Sequence, residues 1–376
     1  MVYLDYAANA PVDEKVLKSF VEATRKYFAN PNSDHKLGIE AKNAIDKASE
    51  NIASILGVKK EELIYTSGAS ESNNLVIQGI CERYKGRGKH IIISKLEHNS
   101  IVAPASYMQS LGFEVDMVSL NKDGIVDIEE LKSLIRNDTI LVSITSVDSE
   151  LGIRQPIEEI GKILKEYPNL YFHTDASQII GKDKIDFTNV DLVTLAPHKF
   201  YGINGFGLLI KKENVNLKPI IYGGKSTTIY RSGTPVTASV VALDKALSLA
   251  ILNIDERIKY ITDLNKYVIS KLKKFEKVKI NSTINSIPNT INFSYKGIVS
   301  SKLVKMLGEK DVYISSKTSC CPENTPSKSI YALTNDKSLA SSSMRMSLSH
   351  LTTKEEIDEF FRVFKETIKE YNDGKE

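Results

Sequence analysis

Cysteine is scarce in this chain: only Cys81, Cys320 and Cys321 occur in 376 residues. So sparse and odd a set provides no disulfide framework and suits a reducing compartment. No apolar run approaches the ~20 residues that a membrane-spanning helix needs. The opening Met-Val-Tyr-Leu-Asp-Tyr lacks a basic segment followed by an apolar core, so no secretory signal is expected. A one-sided charge is missing too. With 50 basic and 47 acidic side chains the net charge is +3, and no basic run with interleaved aromatics offers itself to nucleic acid. Internal repeats and low-complexity segments are absent. These absences point to a cytoplasmic protein with no direct nucleic-acid or membrane partner.

The length and the apolar fraction of 41% allow one large domain and a smaller one, each with a buried core. Strand-like runs at 62–65, 89–94, 113–118, 139–144, 170–173, 192–195 and 207–210 alternate with helical patterns such as 70–85, 98–111, 127–136 and 156–167. That alternation predicts an α/β fold with a mostly parallel sheet between helices. From 238 to 274 the periodicity is helical with neither proline nor glycine. Beyond it, strands at 277–281, 289–295, 311–315 and 343–348 and helices at 300–308 and 353–371 suggest a smaller α+β domain. The expected division is a large domain over 16–254, with 1–15 joining 255–376 in the small one.

Lys199 and Asp175 are the chemically telling pair. Each closes a strand-like run, an odd position for a solvated charge. A lysine there either snorkels to solvent or forms a Schiff base with pyridoxal phosphate (PLP). Asp175 would then keep the pyridine nitrogen protonated, so that the ring acts as an electron sink. Tyr65–Asn74 follows a strand and opens a helix through Gly68-Ala69-Ser70. Free N–H groups and the helix dipole suit a phosphate there, although an ordinary capped helix start reads the same. Tyr230-Arg-Ser-Gly-Thr234 is a second hydroxyl-bearing turn, for the same phosphate or merely for the surface.

His98, just past a strand, sits where active-site groups gather in open α/β sheets. It could lie on a cofactor ring or serve only in packing. Arg345, among apolar neighbours, needs a carboxylate, from a substrate or from a structural ion pair. Cys320 and Cys321 lie in a polar tract, 313–326, that suits reactive thiols better than structural ones, with Lys317 near enough to support a thiolate. No further Cys or His cluster has ligand spacing, so no metal is expected. A vicinal disulfide would be strained.

In chain order, Leu4–Val12, Phe28–Gly38, Thr66–Asn74, Glu97-His98, Asp175–Gln178, His198-Lys199, Arg231–Thr234, the Cys320 loop and Met344–Leu348 together resemble the cysteine desulfurases of the class V, fold-type I PLP enzymes. The resemblance runs nearly end to end. It implies that Lys199 binds PLP, Asp175 pairs with the pyridine nitrogen, Gln178 bonds the phenolic oxygen and His98 stacks on the ring. Ala69, Ser70 and His198 would hold the phosphate, joined by Thr234 from a partner subunit, which implies a homodimer. Cys320 would take up sulfur, Arg345 would clamp the carboxylate of L-cysteine, and an acceptor protein would receive the sulfur for iron–sulfur clusters, tRNA thiolation or another thio-cofactor.

The chain also departs from the pattern. Asp148 replaces an asparagine expected near the phenolic oxygen and the substrate carboxylate; ionised there, it would repel both unless protonated or turned aside. Ala196-Pro197 replaces a Ser-Gly pair, which removes a hydroxyl donor to the phosphate, and Cys321 adds a second thiol. Those departures motivate two rivals. One is a PLP-dependent cysteine or selenocysteine lyase, or an aminotransferase; the other is a sulfur-carrier or scaffold subunit that binds PLP poorly.

Overall fold

The computed structural model describes residues 1–224, 226–317 and 325–373. Its strands are β1 (Val2–Tyr3), β2 (Leu63–Thr66), β3 (His90–Ser94), β4 (Glu114–Val118), β5 (Thr139–Ser143), β6 (Tyr171–Asp175), β7 (Leu192–Leu195), β8 (Gly207–Lys211), β9 (Val278–Ile280), β10 (Thr290–Tyr295), β11 (Val312–Tyr313) and β12 (Ser343–Ser347). Its helices are α1 (Glu14–Lys26), α2 (Lys36–Leu56), α3 (Ala69–Tyr84), α4 (Asn99–Ser110), α5 (Ile128–Leu134) and α6 (Ile157–Leu164). They continue as α7 (Thr237–Ile251), α8 (Ile254–Leu272), α9 (Ser300–Gly308), α10 (Lys328–Thr334), α11 (Lys337–Ser342) and α12 (Lys354–Asp373).

Seven strands form the main sheet in the order β2-β8-β7-β6-β5-β3-β4. Only β8 runs antiparallel to its neighbours. Every residue of β3, β5, β6, β7 and β8 is buried, because helices cover both faces; this is why those strands read as unbroken apolar runs. Edge strand β4 instead carries Glu114 and Asp116, charges that discourage further pairing. Ile92, Val142, Phe172 and Leu208 face one core layer with Val240, Leu243 and Leu247 of α7. Their sequence neighbours Ile91, Ile93, Leu141 and Leu209 face the other, against Leu75 and Ile80 of α3. Alternation along each strand thus divides one sheet between two apolar layers.

A separate core gathers Leu264 and Val268 of α8, Phe293 of β10, Met344 and Met346 of β12, and Phe360 and Phe364 of α12 around the antiparallel sheet β12-β10-β9. Val2 and Leu4 belong to this core, since β1 pairs with β11.

One expectation needs correction. The continuous helix read over 238–274 is two helices, α7 and α8, bent by 65°. Asn253 between them takes a left-handed φ of 58°, which asparagine tolerates better than most residues. The bend lets α7 pack on the main sheet while α8 packs on the second core. Among the described residues, no single helix is long and apolar enough to cross a membrane.

Candidate active site

Parallel strands deliver their C-terminal ends to one edge of the sheet, where the following loops surround a cavity of about 400 Å³. Residues from Ser67 to Ser70, His98, Asp175, Ser177, Gln178, His198, Lys199 and Arg345 all line it. The sequence had suggested most of these separately.

Asp175, the last residue of β6, is buried. Its Oδ1 accepts the Ser177 N–H at 2.9 Å and its Oδ2 accepts from Asn73 Nδ2 at 2.8 Å. The same Asn73 amide donates to Ser100 Oγ at 2.8 Å, which in turn bonds His98 Nδ1 at 2.8 Å. His98 caps α4, accepting from the Ser100 N–H at 3.1 Å. A chain of polar contacts therefore links the aspartate to the histidine. Beside it, Glu97 Oε1 accepts from Ser94 Oγ at 2.6 Å and from the Thr145 N–H at 2.7 Å, tying the β3–α4 turn to the end of β5. Burial pushes the Glu97 carboxyl up to about 8, so it is largely protonated at neutral pH.

Lys199 ends a single 3-10 turn, Pro197–Lys199, after β7. Its Nζ donates to the Ala7 carbonyl at 2.9 Å and to the Ala8 carbonyl at 2.5 Å. His198 beside it is held neutral: burial, then the charges of Lys199 and Lys182, lower its pKa to about 4. Gln178 donates through Nε2 to the Ala7 carbonyl at 2.9 Å and accepts from Lys182 Nζ at 2.7 Å.

Opposite these groups α3 begins at Ala69 with no side-chain cap, so its first N–H groups face the cavity edge without an intrahelical partner. The approach is tight. A Cβ on Gly207 of β8 would meet Gly68 Cα at 2.6 Å, so glycine there lets the turn settle on the sheet. Glu71 closes the turn, accepting the Ser67 N–H at 2.8 Å and pairing with Arg231 Nε at 2.9 Å. Thr234 itself is exposed and does not line this chain's own cavity.

Arg345, on β12, is 1% exposed. One Nη pairs with Asp5 Oδ1 and the other donates to the Ser149 carbonyl, each at 2.7 Å. Its Nε is buried without a partner. The two sequence readings of this arginine thus coexist: a structural carboxylate takes part of the fork, and donors remain.

Asp148 does not join the cavity lining. Its carboxylate turns inward, accepting the Glu150 N–H at 3.1 Å, the Leu151 N–H, and Ser329 Oγ of α10 at 2.8 Å. The feared repulsion of a bound anion is removed by this orientation. Burial, and next the Glu150 charge, raises its pKa to about 6. Cys320 and Cys321 lie outside the described residues. At their border, Lys317 Nζ donates to the Thr325 carbonyl and to Thr325 Oγ1, both at 2.8 Å.

Sequence reasoning did not assign Asn73, Ser177, Lys182 or Asp5. Asn73, Ser177 and Asp5 stood inside recognised motifs, but only the three-dimensional structure reveals their partners.

The cavity fits pyridoxal phosphate on its own evidence. The Lys199 amine, the Asp175 carboxylate and Arg345, whose bonds to Asp5 and Ser149 use two of its five N–H groups, line it together, a donor set that matches an aldehyde, a pyridine nitrogen and a substrate carboxylate. An anion-binding helix end stands at one side, and a lysine and a buried carboxylate stand at the other. Fold and cavity together have the build of a fold-type I PLP enzyme.

Comparison narrows that class. Residues 2–360 match the family described as aminotransferase class V. The cysteine desulfurase IscS of Dictyoglomus turgidum is 38% identical over 95% of this chain and 92% of its own. That of Histophilus somni is 37% identical over 99% and 94%. A solved NifS-like protein superposes with a TM-score of 0.92 at 32% identity, over 98% of this chain and 99% of that one. The chain belongs to the class V aminotransferase family, among its pyridoxal-phosphate-dependent cysteine desulfurases.

Proposed function

We propose that this chain converts L-cysteine to L-alanine and captures the sulfur as a persulfide on Cys320. The bound cofactor supplies the electron sink that makes the substrate Cα proton removable. The observation that carries the reading is one cavity holding the Lys199 amine, the Asp175 carboxylate and unused Arg345 donors. Lys199 would hold the cofactor and, as a free amine, would take the Cα proton of the substrate. Asp175 would keep the ring nitrogen protonated. His98 would face the ring, and Gln178 would bond its phenolic oxygen. The α3 N-terminus at Ala69 and Ser70, with His198, receives the phosphate. Arg345 receives the substrate carboxylate through its remaining N–H groups.

The Cys320 thiolate then attacks the substrate sulfur. An S–S bond forms as the substrate's C–S bond breaks, its electron pair passing to the carbon side, and protonation there leads to alanine. The sulfane sulfur passes on to an acceptor protein of iron–sulfur cluster assembly or tRNA thiolation in the cytoplasm. A homodimer suits the exposed Thr234, in a stretch of sequence that also exposes the apolar side chains Tyr222, Ile229 and Val236.

Cys320→Ala tests the reading. Alanine and sulfide release from cysteine with a reductant should collapse, while the visible absorbance of the bound cofactor stays. Mass spectrometry of the wild-type peptide after incubation with cysteine should find one added sulfur on Cys320. Unchanged turnover in the variant would remove the nucleophile and favour an elimination that needs no thiol.

A further inference from the structure

Lys182 has no role in the scheme so far. It follows Gly181 in the turn after β6, and Gly181 takes a φ of 72° there. The residue as a whole is half-buried, but packing around its amine is close enough to depress the pKa to about 7 through burial, then through Lys199 and Arg345. Among the described residues this cation has no ion-pair partner; its hydrogen bond goes to Gln178 Oε1 at 2.7 Å.

That bond settles which way the Gln178 amide faces. In its ammonium form Lys182 only donates, so the group beside it is then the amide oxygen. A carbonyl only accepts, so the group 2.9 Å from the Ala7 oxygen must be the amide NH2. Reversing the amide would set donor against donor and acceptor against acceptor. Gln178 therefore offers the cavity its second N–H and not its oxygen. The Ala7 carbonyl is shared with Lys199 Nζ, so the glutamine donor and the cofactor-binding lysine stand side by side.

We propose that Lys182 is a positioning residue that locks Gln178 as a hydrogen-bond donor to the phenolic oxygen of the lysine-bound cofactor. The proposal rests on the cofactor reading above. Its physical consequence concerns charge. When the lysine-bound cofactor loses its proton, negative charge settles on the phenolic oxygen. A fixed donor facing that oxygen, backed by a cation up to the pH near 7 where Lys182 loses its proton, favours the deprotonated form and lowers the pH at which it appears. Lys199, Arg345, Asp175 and His198 face the same cavity and remain in every variant; since Lys182 also lowers the His198 pKa, the Gln178→Ala background separates the hydrogen-bonded route from the direct field.

The test is a pH titration of the visible absorbance of the purified holoprotein, with Lys182→Met and Lys182→Arg beside wild type. Lys182→Met should raise the midpoint by about one pH unit. Lys182→Arg, which keeps a cationic donor, should restore it to within a few tenths. The same pair in a Gln178→Ala background should differ little, because the lysine acts through the glutamine. Lys182→Gln serves as a neutral, polar replacement should methionine not be accepted in the fold, and its midpoint should also rise. An unmoved midpoint in Lys182→Met or Lys182→Gln overturns the proposal, as does an equal shift with Gln178 absent. A wild-type protein with no visible band at all overturns the cofactor reading instead, and this proposal with it.

Discussion

The two walls of the cavity are built differently. On the main-sheet side each polar group is held by the sheet's own strand ends and the helix beside them: Asp175 by Ser177 and by Asn73 of α3, and Glu97 by Ser94 and Thr145. On the side of the second core Arg345 depends on Asp5, at the far end of the chain, and on a carbonyl from the β5–α6 loop. The first wall is set by strands buried on both faces, with both oxygens of the Asp175 carboxylate already held. The second is a junction of three distant segments, with one guanidinium nitrogen left over. Preorganisation of the first wall suits a permanent cofactor. The second, already part-neutralised, suits a substrate that comes and goes.

Breaking the first wall should cost the most. Asp175→Asn keeps the size and a hydrogen-bonding oxygen but removes the charge that holds a proton on the ring nitrogen. Turnover of cysteine should fall on the order of 10²- to 10³-fold, with a far smaller change in KM. Steady-state kinetics on the cofactor-saturated variant checks this; a loss confined to KM would contradict the role.

Breaking the second should act on binding. Arg345→Lys retains a cation but not the planar fork that can meet Asp5 and a substrate carboxylate together. KM for cysteine should rise roughly tenfold or more, a loss of about 1.4 kcal/mol or greater, while the absorbance of the resting holoprotein is unchanged. An altered resting spectrum with normal KM would instead tie Arg345 to the cofactor.

The same contrast explains what could be read from the sequence. Strands β3, β5, β6, β7 and β8 follow from apolar runs between 89 and 210, because strands buried on both faces are largely apolar, while edge strand β4 alternates Val and Met with acidic residues. Lys199, Asp175 and His98 announce themselves as polar residues stranded at the ends of those runs. The break at Asn253 was hidden, since helical periodicity continues across it and only the two separate cores require the bend. Helices α1 and α2 were not singled out, although Asp13 caps the first and Gly57 ends the second in local signals. The partners of Asp5 and Asn73 were illegible, because pairing across the chain leaves no periodic trace.

Asp148 belongs to neither wall, and its prediction is the smallest. The carboxylate is buried 1% exposed against two backbone N–H groups and Ser329 Oγ, with Glu150 adding like charge. Its pKa rises from 3.8 to about 6 on folding. Between those values the folded chain holds a proton that the unfolded chain has lost. Stability is therefore lost as pH rises through about 6, by at most about 3 kcal/mol in all. Asp148→Asn keeps an oxygen for the two N–H groups, can donate to Ser329, and has no charge to desolvate. It should stabilise the protein, and the gain should grow by about 1 kcal/mol between pH 5 and pH 8. Urea unfolding at the two pH values measures this directly. Because the side chain turns away from the cavity, the KM for cysteine should stay within about twofold of wild type, the ordinary scatter for a change outside the binding contacts. A gain that is flat with pH would mean that Asp148 is not the group titrating near 6, and a fall in KM would mean that its charge reaches the substrate after all.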